Sequence, residues 1–285
     1  LVDTWTAKLV QAKLTPDQMA RGLYQQGFAH YQLKKYEQAA GILEKVTPLT
    51  ANAIWKTRSS YLLGECYTIV KNHEKAEPAF VAALPGLEGP DKTECHYRLG
   101  VTRFILKQWA PAAEQFEAFL KEEPGTRAKD QKKENPYIKE SQLYIGRCLL
   151  EQGEFKKAQN RLAGLINVDS PLGAKANLWF ARVFSRPEKP NYDQAAAALE
   201  PAVKKYQKFA PINDDLRFDY ANALMSRNNP DWKTSAQALG QINGEVFGQF
   251  AEVLAQRATC YHKLKDYNTS LTLANEYLAK FKDHG

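Results

Sequence analysis

A chain of 285 residues with net charge +7, 44% hydrophobic and 25% charged residues is too rich in apolar side chains to remain disordered. No apolar run approaches the ~20 residues that a membrane-crossing helix needs, and no secretory leader pattern stands at Leu1. The four cysteines, Cys66, Cys95, Cys148 and Cys260, contain no Cys-x-x-Cys pair, which argues against a zinc site and against a dense disulfide scaffold.

The chain opens on Leu1 and not on Met, as a processed or trimmed form would. Trp5 to Leu14 reads as a lone helix, either a cap or the remnant of a preceding unit. Thr15-Pro16-Asp17 is a good helix start. These residues divide the chain into an N-terminal helix, residues 1–18, and a helical-repeat domain, residues 19–285.

From Met19 to Lys282 one pattern recurs: a small residue, then an aromatic, then a second small residue. The first small residues are Gly27, Gly64, Gly100, Gly146, Ala181, Ala221 and Ala258. The aromatic or His positions are Tyr36, His73, Trp109, Phe155, Tyr192, Trp232 and Tyr267. The second small residues are Ala39, Ala76, Ala112, Ala158, Ala195, Ser235 and Ser270. Small-to-small spacing is 12 in units one to four and seven, and 14 in units five and six, whose turns carry two extra residues. Two antiparallel helices on a short turn need small residues where their backbones cross and an aromatic in the wedge beside that contact. Four residues after the second small position stands Leu43, Phe80, Phe116, Leu162, Leu199, Leu239 or Ala274. That side chain is expected to pack into the next unit. Pro78 and Pro201 fall inside second helices and are expected to kink or delay them.

Tyr61-Leu62-Leu63-Gly64-Glu65-Cys66-Tyr67 with Ala76, Phe80 and Ala83 resembles the tetratricopeptide repeat (TPR). Leu143 to Leu149 with Gly153, Phe155 and Ala158 resembles it as closely. The resemblance covers seven consecutive units. Their steps of 37, 36, 46, 35, 40 and 37 residues are longer than the ~34 of the family, and the longest holds the charged stretch from Gly125 to Pro136. It implies an all-α fold, a right-handed superhelical solenoid of about seven antiparallel helix pairs. Within the family, Phe116 to Pro124 and Lys139 to Gly146 look like bacterial cell-envelope members, the Tol-Pal coordinator and the outer-membrane assembly lipoprotein. That likeness implies a periplasmic or envelope location, with cytoplasm as the alternative and membrane association only indirect or through an anchor outside this chain.

In such a solenoid the first helix of each unit lines the concave groove. Its wall positions, three before and one, four or five after the first small residue, include Tyr24, Phe28, Tyr31, Tyr61, Tyr97 and Phe104, then Arg147 and Arg182. The aromatics offer contact area at low entropy cost, and the arginines could clamp a carboxylate. The competing reading is that the tyrosines pack between neighbouring first helices. The paired Lys/Asn set of family members that grip acidic chaperone tails is missing, since Glu65 and Val101 occupy two of its positions.

No metal-protease, dinucleotide or phosphate-loop pattern is present. The expectation is a non-enzymatic scaffold for a protein or peptide, with no catalytic residue, cofactor, metal or small-molecule substrate. Net charge +7 keeps a nucleic-acid or anionic-polymer binder as the alternative. Cys66, Cys148 and Cys260 share one repeat position, and Cys66 and Cys95 lie too far apart to bridge, so four free thiols are expected.

Overall fold

The turn between paired helices explains the constant spacing. At Lys34, Lys71, Lys107 and Lys265 the backbone has φ between 59° and 64°, and Gly153 has φ 77°. Each lies seven residues after the first small position of its unit. The next N–H donates back five residues along the chain: Lys35 to the His30 carbonyl, Asn72 to Tyr67, Gln108 to Arg103, Glu154 to Leu149 and Asp266 to Tyr261. This is the Schellman ending of a helix, with its left-handed residue just past the last turn. Lysine is an uncommon choice there, because the left-handed region disfavours a Cβ, but its charge complements the helix C-terminus. The five units with this ending are the five with a spacing of 12. Units five and six lack it, and there Asn191 and Asp231 donate to the Phe184 and Leu224 carbonyls.

The computed structural model describes residues 14–126 and 135–281, without the side chains of 124–126. The expected helix from Trp5 to Leu14 lies outside them except for its last residue, as do residues 127–134 of the charged insertion. The described residues form fourteen α-helices: α1 Pro16–Gln32, α2 Tyr36–Leu43, α3 Ala53–Ile69, α4 His73–Ala83, α5 Gly89–Ile105, α6 Trp109–Thr126, α7 Pro136–Glu151, α8 Phe155–Ala163, α9 Pro171–Ser185, α10 Tyr192–Lys205, α11 Ile212–Ser226, α12 Trp232–Gly240, α13 Phe250–Lys263 and α14 Tyr267–Lys280. First and second helices alternate as the sequence pattern requires. The aromatic position is the first residue of the second helix in every unit.

Caps fix the helix starts. Thr15 and Gln18 form a reciprocal capping box on α1. The side chains of Asn52, Asn72, Ser170, Asn191, Asp231 and Asp266 each accept a backbone N–H of the following turn. Each such cap contributes about 1 kcal/mol. Pro78 and Pro201 lie inside α4 and α10, and neither ends its helix. Both prolines are exposed, as are Glu74 and Ala197 one turn earlier, so water can satisfy the carbonyls that lose a donor.

The chain divides into two compact units, Leu1–Cys148 and Leu149–Gly285. In the first, α1 packs on α2, α3 on α4 and α5 on α6, and α1 also lies beside α3. A Cβ added to Gly27 would stand 2.7 Å from Leu43, one on Gly64 2.6 Å from Phe80, and one on Gly100 2.9 Å from Phe116. The large residue after the second small position therefore closes on the glycine of its own unit. Phe116 also reaches the next helix pair, stacking on Tyr144 of α7 at 5.0 Å. The core around these contacts holds Ala39, Leu43, Leu62, Cys66, Phe80 and Leu99.

In the second unit α9 packs on α10, α11 on α12 and α13 on α14, with α9 beside α11. Serine replaces alanine at two helix crossings and bonds across them. Ser235 Oγ donates to the Ala221 carbonyl at 3.4 Å, and Ser270 Oγ to Ala258 at 2.9 Å. Tyr206 is fully buried, its hydroxyl 2.7 Å from the Ile166 carbonyl and 3.0 Å from that of Val168. Gly173 passes so close that an added Cβ would stand 1.8 Å from the Val168 carbonyl oxygen.

All four cysteines are free and buried, as expected. Burial pushes the Cys66 and Cys95 thiols up to about 12 and Cys260 to about 11.

Candidate binding surface

Residues three to four apart on a helix share a face. In the first unit this places Arg21, Tyr24, Phe28 and Tyr31 together on α1, and Ile54, Arg58, Tyr61 and Glu65 together on α3. The Tyr24 ring lies 5.5 Å from Trp55 at the start of α3 and 6.4 Å from Phe28. Phe28 is 40% exposed, the most open of the expected aromatics. Tyr31 is half-buried, 5.5 Å from Tyr36, and Tyr61 is half-buried, edge-on to Phe80 at 6.0 Å.

Farther along, the packing alternative holds for one residue. Tyr97 is 7% exposed, wedged against Phe116, Phe119 and Tyr137, and its hydroxyl donates to Glu140 at 2.9 Å. Phe104 is half-buried between Trp109 and Tyr144, with the Arg147 guanidinium 4.5 Å above its ring. Arg147 thus covers an aromatic face, a cation–π arrangement.

Between α3 and α5 sits a charged cluster. Arg98 lies 3.4 Å from Glu65 and 2.9 Å from Glu94. Burial raises the Glu65 carboxyl above its ordinary range, and the Arg98 guanidinium pulls it back.

Arg182 belongs to the second unit. Its guanidinium stacks on Trp179 at 4.6 Å and makes two bonds to the Asp219 carboxylate, at 2.6 and 3.2 Å. The carboxylate clamp expected of this arginine is filled by the chain's own α11. Beside the pair is a pocket of about 370 Å³, floored by Ala181, Ala195 and Leu199 and rimmed by Ser185, Arg186, Tyr192, Asn222 and Ser226. Asn222 and Ser226 occupy wall positions of unit six that the sequence reading did not single out.

Two further residues escaped that reading. Arg21 and Arg58 both stand six positions before the first small residue of their units, Gly27 and Gly64. Both are exposed, and both reach the Trp55 ring, at 6.0 and 5.8 Å from its centroid. The recurrence of arginine at one repeat position was the available signal.

Among the described residues no cluster of three His, Cys, Asp or Glu could hold a metal ion, and no helix is long and apolar enough to cross a membrane.

These features define an all-α protein of helix hairpins, with Phe28, Arg21 and Arg58 exposed on α1 and α3. Tetratricopeptide-repeat profiles match residues 21–47, 140–169 and 190–231, so the chain carries tetratricopeptide repeats over those segments. Solved structures share the fold. A TPR repeat-containing protein from Cytophaga hutchinsonii is 12% identical with TM-score 0.62, over 91% of this chain and 96% of that one. A tetratricopeptide repeat protein from Parabacteroides merdae is 13% identical with TM-score 0.57, over 92% and 93%. YrrB, a TPR protein with an unusual peptide-binding site, is 19% identical with TM-score 0.53, over 75% and 97%. No curated protein sequence matches the chain.

Proposed function

We propose that the chain is a non-enzymatic interaction scaffold that binds a protein or peptide on its first-helix face, with Tyr24, Phe28, Tyr31 and Tyr61 at the centre of the contact. The observation that carries this reading is the run of half-buried and exposed aromatics on adjacent helices α1 and α3, ending at Phe28. Half-buried aromatics combine a fixed orientation with free area, which is what anchors an interface. Tyr97, Phe104, Arg147 and Arg182 shape the surface through intramolecular contacts. YrrB supports the reading as a protein of the same fold that has a peptide-binding site. The phrases Phe116 to Pro124 and Lys139 to Gly146 make an envelope complex the proposed setting, which export of a reporter fusion to the full-length gene would test.

The test of the binding surface is affinity capture followed by titration of the recovered partner. Phe28→Ala and Tyr61→Ala are expected to weaken binding at least tenfold, as truncation of anchor aromatics does. Leu271→Ala, an exposed second-helix residue, is expected to change nothing. Equal effects at all three positions would overturn the proposal.

A further inference from the structure

Most arginines of the described chain are matched with acids. Arg98, Arg103, Arg182, Arg186, Arg217 and Arg227 each face a carboxylate within 4 Å. Among the described residues no ion pair or hydrogen bond engages the side chain of Arg21, Arg58 or Arg257, and of these Arg21 and Arg58 meet at one aromatic ring. Asp17, one turn before Arg21 on α1, accepts instead from the Thr50 hydroxyl. The two guanidinium groups share one indole ring, that of Trp55, and the Tyr24 phenol feels the charge of Arg58.

Two exposed cations at one ring raise the local positive potential, which favours an anionic ligand. Both guanidiniums lie at the outer edge of cation–π range of the ring, and their N–H groups remain open to a carboxylate. Next to this pair the surface is apolar. Ile54 is 58% exposed and Phe28 40% exposed, with the Tyr24 ring stacked on the latter. A ligand that satisfies the whole patch needs carboxylates for the arginines and separate large apolar groups for Phe28 and for Ile54, which stand at different heights on α1 and α3.

We propose that Arg21, Arg58 and Trp55 form a docking site for an acidic protein segment in which Asp or Glu alternates with large apolar residues. This inference rests on the scaffold reading above and names the chemistry of its partner. It places the acid-recognising arginines at the start of the repeat array, because Arg182 already holds Asp219.

The test uses the whole chain and a fluorescein-labelled peptide of sequence Glu-Leu-Asp-Phe-Glu-Ser, read by anisotropy. Controls are the same peptide with Gln and Asn for the acids, the same peptide with Lys for the acids, and a single-stranded thymidine oligonucleotide. The acidic peptide is expected to bind at least tenfold more tightly than the amide version and to weaken as salt rises. Arg21→Gln and Arg58→Gln are each expected to reduce its affinity several-fold, with an unchanged thermal melt, since both side chains are exposed. The charge-reversed variant R21E/R58E is expected to transfer the preference to the lysine peptide. Equal binding of acidic and amide peptides, or indifference to both arginines, overturns this inference and leaves the scaffold reading standing if Phe28→Ala still weakens the captured partner. Tighter binding of the oligonucleotide, lost in the same arginine variants, assigns the patch to nucleic acid and overturns it. Failure of every peptide together with failure of the Phe28 test removes both.

Discussion

Replacing Gly64 by alanine tests how the repeat unit is held together. Helix propensity alone favours alanine over glycine by about 1 kcal/mol in a helix interior. At Gly64 the new methyl would meet three ring atoms of Phe80 at 2.6 to 2.9 Å, and that ring is fully buried. Inserting a methyl into a filled core costs typically ~1–3 kcal/mol, and contacts this short on a ring with nowhere to go belong at the upper end. The net expectation is a loss of about 2 kcal/mol, or roughly 4–8 °C in the thermal midpoint. Gly41 supplies the control, because it lies in α2 with nothing within 4 Å of an added Cβ. Gly41→Ala is expected to gain about 1 kcal/mol. Urea unfolding of both variants measures the difference, and a double-mutant cycle with Phe80→Leu assigns it. The Phe80→Leu substitution should cost less in the Gly64→Ala background than alone. Equal stability of Gly64→Ala and Gly41→Ala would refute the idea that the helix crossing demands glycine.

Four more outcomes follow from the geometry. Lys71→Gly, at φ 61°, is expected to stabilise by about 0.5–1 kcal/mol in urea unfolding, whereas Lys56→Gly inside α3 should destabilise by about 1 kcal/mol. Tyr206→Phe removes one of two donors from each of the Ile166 and Val168 carbonyls, which keep Asn177 Nδ2 and the Ser170 N–H, and a loss of about 1 kcal/mol is expected by the same assay. Ellman's reagent should find no reactive thiol in the native protein at pH 8 and four after unfolding, since all four cysteines are buried. Glu65 binds its proton more tightly folded than unfolded, so it supports folding below its ordinary pKa of 4.5 and loses that contribution as pH rises through the raised value. Stability of Glu65→Gln measured from pH 4 upward should therefore fall less steeply than that of the wild type.

The helix pairs were legible because backbone crossing tolerates few residue types, and Gly27, Gly64 and Gly100 with Ala39, Ala76 and Ala112 mark the crossings directly. The reason for the spacing of 12 was hidden, because lysine is not a residue that announces a left-handed turn. Only coordinates show that Lys34, Lys71, Lys107 and Lys265 share that conformation with Gly153. Wall positions were readable as a helical face, yet depth along that face was not. Tyr24 and Tyr97 hold equivalent repeat positions, but Tyr97 has Phe119 and Tyr137 packed around it and Tyr24 opens toward Phe28. Arg182 looked free because its partner Asp219 is 37 residues away in sequence, one unit farther on. Arg21 and Arg58 were overlooked because their repeat position lies nearly two turns before the small residue, outside the wall positions read from the sequence.

The central claim is that partners meet the first helices and not the second. A photo-crosslinking residue placed at Phe28 or Ile105 on the first-helix face, and at Glu37 or Glu114 on second helices, tests this in the full chain with its bound partner. All four positions are exposed or half-exposed to solvent. The account predicts adducts from Phe28 and Ile105 and little or none from Glu37 and Glu114. Adducts confined to Glu37 and Glu114 would contradict it.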